Sequence, residues 1–303
     1  MSPRASQRPI PLLTLVLAAS PVAAETFVEA GGGLSWDDNV GRTARSADAR
    51  SDLVAGFEGR AGIRHITAAE DRLSAAATLR GEQFHRRDDL SEFAIGSSLG
   101  WRRKLGLGFT APWIGASLDG ERITSGSPIR DGWRYGASLR AGKRLDDYWN
   151  LQVSLGLDRR DGDEDDQELP PNRPTFPGVT PSRRGDVFDL EGSSVGLGLE
   201  YTLSDRWLAS LDYSYRAGDV VSSARPNAKV VAAADAITRD RALGTGRSAY
   251  RLDADTQTFR LGFSYALGET SSLEFGWERQ ASEADDGIRY DKSIFRMGVL
   301  WVP

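Results

Sequence analysis

Few side chains in this chain are capable of acid–base, nucleophilic or metal chemistry, and their spacing limits what they can do. There are two histidines, His65 and His85, and no cysteine. Without cysteine there is no thiolate nucleophile, no disulfide and no sulfur-rich metal site. A serine hydrolase or a zinc site would therefore need a histidine. The strand pattern described below puts His65 and His85 at opposite ends of neighbouring strands, so one site cannot use both. His85 as base, with Ser91 or Ser97 as nucleophile, is the one arrangement that would suit an external lipid hydrolase. No nucleophile motif accompanies it, and no carboxylate is placed to orient the imidazole. The expectation is a protein that is not an enzyme and holds no cofactor.

The acidic run Asp161-Gly-Asp163-Glu164-Asp165-Asp166-Gln-Glu168 has the first three ligand spacings of a calcium loop. The sixth position, which needs glycine for a sharp turn, is Asp166, and the twelfth, which needs a bidentate glutamate, is Asn172. The EF-hand reading fails, leaving loose divalent-ion binding near lipopolysaccharide or a solvated loop. Asp37-Asp38-Asn39 invites the same comparison.

The remaining charges are organised with period two. In Trp149–Asp158 the odd positions Trp149, Leu151, Val153, Leu155 and Leu157 are apolar, and Asn150, Gln152, Ser154, Gly156 and Asp158 alternate with them. Trp207–Arg216, Phe259–Tyr265 and Leu273–Glu278 repeat the pattern. Successive side chains of a strand point to opposite faces, so this is a strand signature. Twelve segments are predicted, at about 26–36, 52–65, 72–84, 91–103, 108–121, 131–143, 148–159, 187–202, 207–217, 253–267, 271–280 and 291–302. Each is long enough to cross a bilayer when tilted.

The connections alternate too. Thr67–Asp71, Lys104–Leu107, Arg144–Asp147, Ser204–Arg206 and Gly268–Ser271 are short. Asp37–Ser51, His85–Leu90, Arg122–Arg130, Arg160–Asp186, Gly218–Leu252 and Ala281–Tyr290 are longer and more polar. Short periplasmic turns, longer external loops and an even strand count describe a single all-β, antiparallel transmembrane barrel. Within the longest loop, Ala228–Leu243 is rich in helix formers and reads either as a short helix or as a mobile loop.

If the apolar face meets lipid, the other face lines the bore, because charges of both signs cost too much against hydrocarbon. The residues predicted to line it are Glu58, Arg60, Arg80, Glu82, Arg134, Arg140, Glu200, Asp212, Arg216, Arg260, Glu274 and Arg296, with Glu29, Arg64 and Glu278 on the same face. They form either facing ladders around a small water-filled pore or pairs that close the lumen. Glycines on that face, such as Gly31, Gly56, Gly62, Gly196 and Gly262, leave room for a passage or relieve strand curvature.

Arg4 and Arg8, the apolar run Ile10–Ala19, and Val22 and Ala24 ahead of Glu25 form a secretory signal peptide over 1–24, leaving 25–303 as the barrel. The mean hydropathy is -0.40, and no later apolar run is long enough for a membrane helix. A net charge of -5 without a basic tail gives no sign of nucleic-acid binding.

Trp149, Trp207, Tyr148 and Tyr201 flank the short turns, and Trp36, Trp133, Tyr215 and Trp277 lie toward the other strand ends, like two interfacial girdles. In the last strand Phe295, Met297, Val299 and Trp301 share a face, which resembles the C-terminal assembly signal of outer-membrane proteins, with Val302 and Pro303 following the aromatic. The chain as a whole resembles Gram-negative outer-membrane β-barrels. Gly33-Leu-Ser-Trp-Asp-Asp-Asn-Val-Gly-Arg42 is similar to the start of porin-like barrels of proteobacteria and to the barrel of surface lipoprotein assembly modifiers. The resemblance carries no functional residues over. It implies contact with outer-membrane lipid, lipopolysaccharide and the outer-membrane assembly machinery. The expected role is a narrow passive channel for small polar or charged solutes. The alternative is a non-conducting barrel acting in surface adhesion or export assembly through its loops 160–186 and 218–252.

Overall fold

The computed structural model describes residues 24–67, 71–163 and 187–303. The signal peptide apart from Ala24, and Asp165, Asp166 and Asn172 of the acidic loop, lie outside the described residues. Period-two patterning produces β1 (Glu25–Asp37), β2 (Asp52–Ile66), β3 (Arg72–Phe84), β4 (Glu92–Lys104), β5 (Trp113–Ser125), β6 (Gly132–Arg144) and β7 (Trp149–Gly162). It continues with β8 (Leu190–Thr202), β9 (Trp207–Ala224), β11 (Ser248–Ala266), β12 (Ser271–Ala284) and β13 (Ile288–Trp301), and a short β10 (Ala236–Arg239) stands outside the series.

Twelve of these strands close a ring. Each pairs antiparallel with its neighbour from β1 to β9, β9 pairs with β11, and β13 returns to β1. Gly33 opposite Gly298 and Ser210 opposite Gly262 mark two of the seams. Closure leaves no unpaired strand edge around the wall. At Gly62 an added Cβ would stand 2.2 Å from the Ala75 carbonyl oxygen, so glycine there lets two strands approach closely.

The two faces of the wall differ completely. One presents Ile95, Leu118, Leu139, Leu155 and Leu157, each more than half exposed. The opposite face carries the charges, and its side chains reach across intervening strands: Arg60 of β2 donates to Ser98 of β4 at 3.3 Å, and Arg80 of β3 meets Glu121 of β5 at 2.9 Å. Only the concave side of a ring brings second neighbours this close, so the charged face is the inner one. Aromatic pairs cluster near both strand ends. Trp149–Tyr201 (4.4 Å between centroids) and Trp207–Tyr265 (4.8 Å) flank the short turns, and Phe259–Trp277 (5.9 Å) lies toward the loops.

Several predicted boundaries are corrected. The fifth strand runs 113–125 rather than 108–121, because Pro112 has no N–H for a ladder and Gly106 and Gly108 take positive φ. Its turn is therefore 105–112, closed by Leu105 N–H donating to the Pro112 carbonyl at 2.7 Å. The expected loop 281–290 shrinks to a turn at Asp285–Gly287, because β12 and β13 continue their pairing to Ala284 and Ile288. In the expected loop 218–252, β9 and β11 extend into the segment, β10 pairs with Ser248–Arg251, and only α1 (Ala228–Ala233) is helical.

These extensions leave the wall and fold over the mouth. In the wall, alternate residues are exposed, but in the β9–β11 extension Ser222, Ser223, Ala224, Ala249, Tyr250 and Leu252 are all buried, whichever face they occupy. One side packs Tyr250 and Leu252 on Val230, Val231, Ile288 and Tyr290. The other packs Ala249 and Ala236 on Val187 and Phe188. Leu243 reaches Leu90, beside Val40 and Phe84 near β1–β4. The bend occurs at Gly218 (φ 138°), where a Cβ would stand 2.3 Å from the Glu191 carbonyl oxygen. Gly218→Ala is expected to lower stability by about 1–3 kcal/mol, whereas Gly268→Ala, which meets nothing within 4 Å, should be near neutral. Urea unfolding of refolded protein, followed by tryptophan fluorescence, measures both.

Candidate functional site

The inner face has two storeys. Nearer the loops, opposite charges pair. Glu121 of β5 accepts from Arg80 and Arg134, each at 2.9 Å. Glu278 of β12, 1% exposed, lies between Arg260 of β11 and Arg296 of β13, both at 2.6 Å. Asp158 of β7 takes two hydrogen bonds from Arg216 of β9, at 2.9 and 2.6 Å. That guanidinium crosses β8 over Gly192, where a Cβ would sit 2.2 Å from Arg216 Nη2. Lys292 of β13 meets Asp37 of β1 at 2.5 Å. Charge-assisted pairs of this kind fix long side chains against the wall.

Nearer the short turns arginines and acids concentrate on different strands, although Arg64 meets Glu25 at 4.0 Å, Glu29 lies opposite Arg60 and Asp212 lies opposite Arg260 in the ladder. Register places Arg64, Arg72, Arg102 and Arg140 on the inner face of β2, β3, β4 and β6. Glu200, Asp212, Glu274 and Glu29 occupy the same face of β8, β9, β12 and β1. Among the described residues Arg72, Arg102 and Arg140 form no ion pair. Arg102 stacks on Trp113, 3.8 Å from the ring centroid. Glu274 accepts from Ser264 at 2.7 Å and Ser272 at 2.5 Å, and Glu200 accepts from Asn150 at 2.8 Å. The same inner face carries small hydroxyls and glycines, including Ser117 of β5 and Ser138 of β6 in contact at 2.8 Å.

Of the residues predicted to line the bore, Arg80, Arg134, Arg216, Arg260 and Arg296 lie in the paired storey, and Glu82 stands 3.8 Å from Arg80. Glu58 is opposite Arg80 in the ladder, and Arg60 opposite Thr78. Arg140, Glu200, Asp212 and Glu274 lie in the separated storey. Asp37, Glu121, Asp158 and Lys292 were not among the predicted site residues. Glu121 closed the misplaced fifth strand, Asp37 lies one residue beyond the first predicted segment, and Asp158 and Lys292 sit on the inner parity of the predicted segments 148–159 and 291–302, where the alternation already placed them.

Arg42 carried no periodic signal, because it lies in the β1–β2 connection. Gly41 accepts from Ser223 N–H at 2.8 Å, which carries this loop across the mouth to β9. Asn39 fixes the fold of the loop: its side chain donates to Asp291 O at 2.9 Å and accepts from Thr43 N–H at 3.0 Å. Arg42 is the only residue other than glycine with positive φ, 47°, among the described residues. Its guanidinium lies within electrostatic range of Asp37, Arg216, Glu278 and Arg134, which sit on four strands around the ring. Burial lowers its pKa, Asp37 and Glu278 act in the opposite sense, and an arginine stays charged regardless. The side chain is only partly accessible to water, as expected inside a hydrated tube.

The lid is latched by charge as well as by packing. Asp240, fully buried, accepts from Arg130 and Ser223, each at 2.6 Å, and from Ala242 N–H at 3.0 Å. Arg247 donates to the Asp48 carbonyl at 2.9 Å.

His65 lies at the turn end of β2, opposite Leu73, and His85 follows β3 at the other end. Ser91 Oγ accepts from Phe84 N–H at 3.1 Å, and no carboxylate is bonded to His85 among the described residues. Asp161 pairs with Arg159 at 2.6 Å, and Asp163 pairs with Arg122, whose hydrogen bond holds that carboxyl below its usual range. Among the described residues no group of acids and histidines is arranged to hold a metal ion.

No protein-family model matches the chain, and no curated protein matches it. Solved structures do. An outer membrane channel from Pseudomonas putida F1 superposes with a TM-score of 0.53 at 12% identity, over 94% of this chain and 97% of that one. This similarity shows a shared barrel fold. The outer membrane channel DcaP of Acinetobacter baumannii aligns over 92% of this chain and 97% of that one at 9% identity, with a TM-score of 0.43.

Glu278→Gln removes the charge shared by Arg260 and Arg296. The two arginines are about half exposed, so the expected cost is about 1–3 kcal/mol, below that of a fully buried pair. Glu82→Gln, at a loose and more exposed pair, should cost about 0.5 kcal/mol or less. Urea midpoints of the two variants against the parent protein check the ranking.

Proposed function

We propose that the chain is an outer-membrane channel for small polar or charged solutes, with its short turns in the periplasm and its lid at the cell surface. The separated storey carries this reading. Arginines on β2, β3, β4 and β6 lie across the bore from acids on β8, β9 and β12, with Asp119 of β5 and Arg260 of β11 as exceptions, and this asymmetry would set up a field across the bore. A solute with separated charges entering it would be aligned, and the small serines and glycines of the inner face would leave it room.

The outer wall supports a bilayer setting, in that exposed leucines, isoleucines and valines cover it and aromatic pairs stand near both ends. Lipid and lipopolysaccharide would meet this wall, and the last strand, with Phe295, Met297, Val299 and Trp301 outward, would be the segment presented to the assembly machinery. A closed barrel crosses a bilayer because every strand finds its backbone partners within the ring.

One observation favours a second reading. The lid is well packed, which suits a non-conducting barrel whose loops make contacts in adhesion or export assembly. Recording in planar bilayers separates the two. Discrete conductance steps are expected from the refolded barrel, and larger steps once 228–243 is replaced by a short Gly-Ser linker. An ion-tight barrel in both forms would overturn the channel reading.

A further inference from the structure

Arg42 differs from the paired charges of the upper storey. Asp37 is held by Lys292, Glu278 by Arg260 and Arg296, Glu121 by Arg80 and Arg134, and Asp158 by Arg216. Among the described residues Arg42 enters no ion pair and donates no side-chain hydrogen bond. The cations around it are Arg134 and Arg216, and Lys292 also lies within its electrostatic range. The nearby acids, Asp37 and Glu278, already have their own cationic partners.

An unpaired charge in a confined space is costly unless water or a counter-charge satisfies it. Its position is also specified by the chain. A β-carbon residue at φ 47° is uncommon, and the loop holding it is tied at both sides, by Asn39 to Thr43 and Asp291 and by Gly41 to Ser223. At Gly41 a Cβ would stand 2.8 Å from Leu243 and 2.9 Å from the Ser223 carbonyl oxygen, so the loop is seated directly under the lid. The fold thus places a five-donor cation in the bore, directly below the mouth, with no ion-pair partner among the described residues.

We propose that Arg42 is an anion station: its planar guanidinium takes the oxyanion of a passing solute, a carboxylate or a phosphate. Bidentate recognition of both groups follows from guanidinium geometry. The proposal rests on the channel reading and narrows its solutes to those bearing an anionic group.

The test uses the full barrel refolded in detergent and in bilayers, with Arg42→Asn as the main variant. Asparagine tolerates left-handed backbone better than other residues with a β-carbon, so the loop keeps its shape while the charge is lost. Arg42→Lys keeps the charge and loses the fork. Under a potassium chloride gradient the reversal potential of the parent should report anion preference, reduced several-fold in Arg42→Asn and retained in Arg42→Lys. In micelles, inorganic phosphate and acetate at matched ionic strength should each be tested for a rise in the thermal midpoint of the parent that Arg42→Asn loses. Whichever of the two gives the larger effect identifies the oxyanion.

A conducting barrel whose ion preference is the same in Arg42→Asn as in the parent would overturn the proposal and leave the channel reading in place. A barrel that is silent in bilayers yet shows Arg42-dependent oxyanion binding would keep the station and remove the channel. Silence with no such binding would remove both.

Discussion

The whole structure depends on a wall one strand thick that must satisfy two solvents at once. Each backbone N–H and C=O of a stave is committed to its neighbours, so the ring has to close. Once it closes, side-chain alternation sends every other residue to opposite environments. A one-residue slip in register would place leucines in the bore and arginines against the outer surroundings. The charge network enforces the same register from inside. Arg80 meets Glu121 across β4 and Arg216 meets Asp158 across β8, and neither contact would survive a slip of a neighbouring strand.

Where the chain leaves this wall, the rule changes. Beyond Gly218 the β9–β11 extension has no lipid-facing side, and it buries both of its faces in a small mixed core with α1, β10 and residues 187–188. Polar latches at Asp240 and Asp48 accompany that core. Tyr250, Tyr290 and Ser222 bring hydroxyls into that core.

The staves were legible in the sequence because alternation is local and redundant. Trp149–Asp158 identifies its own faces without reference to any other segment. The signals failed where tertiary context decides. Residues 228–243 have helical composition, yet the pairing of Ala236–Arg239 with Ser248–Arg251 takes four of them into a strand. The fifth strand was misplaced because Phe109 mimics the rhythm while Pro112 interrupts it. Among the candidate site residues, those on strands followed from parity alone. Their grouping into a paired storey and a separated storey did not, because it depends on which strands are neighbours and on how tilt brings residues to one height. Arg42 had no sequence signature, since its place in the bore comes from a loop that Asn39, Gly41 and Ser223 hold inward.

The central claim is a greasy outer wall and a hydrated, charged bore. The absence of cysteine makes it directly measurable by single-cysteine substitution in membrane-embedded protein. Ser138, Ser154 and Ser194 on the inner face, and Leu139, Leu155 and Val195 beside them on the outer face, form two matched series. A small water-soluble thiol reagent should modify cysteines of the first series and spare the second, which should react with a lipid-soluble one. Labelling that ignores this alternation, or reverses it, would contradict the account.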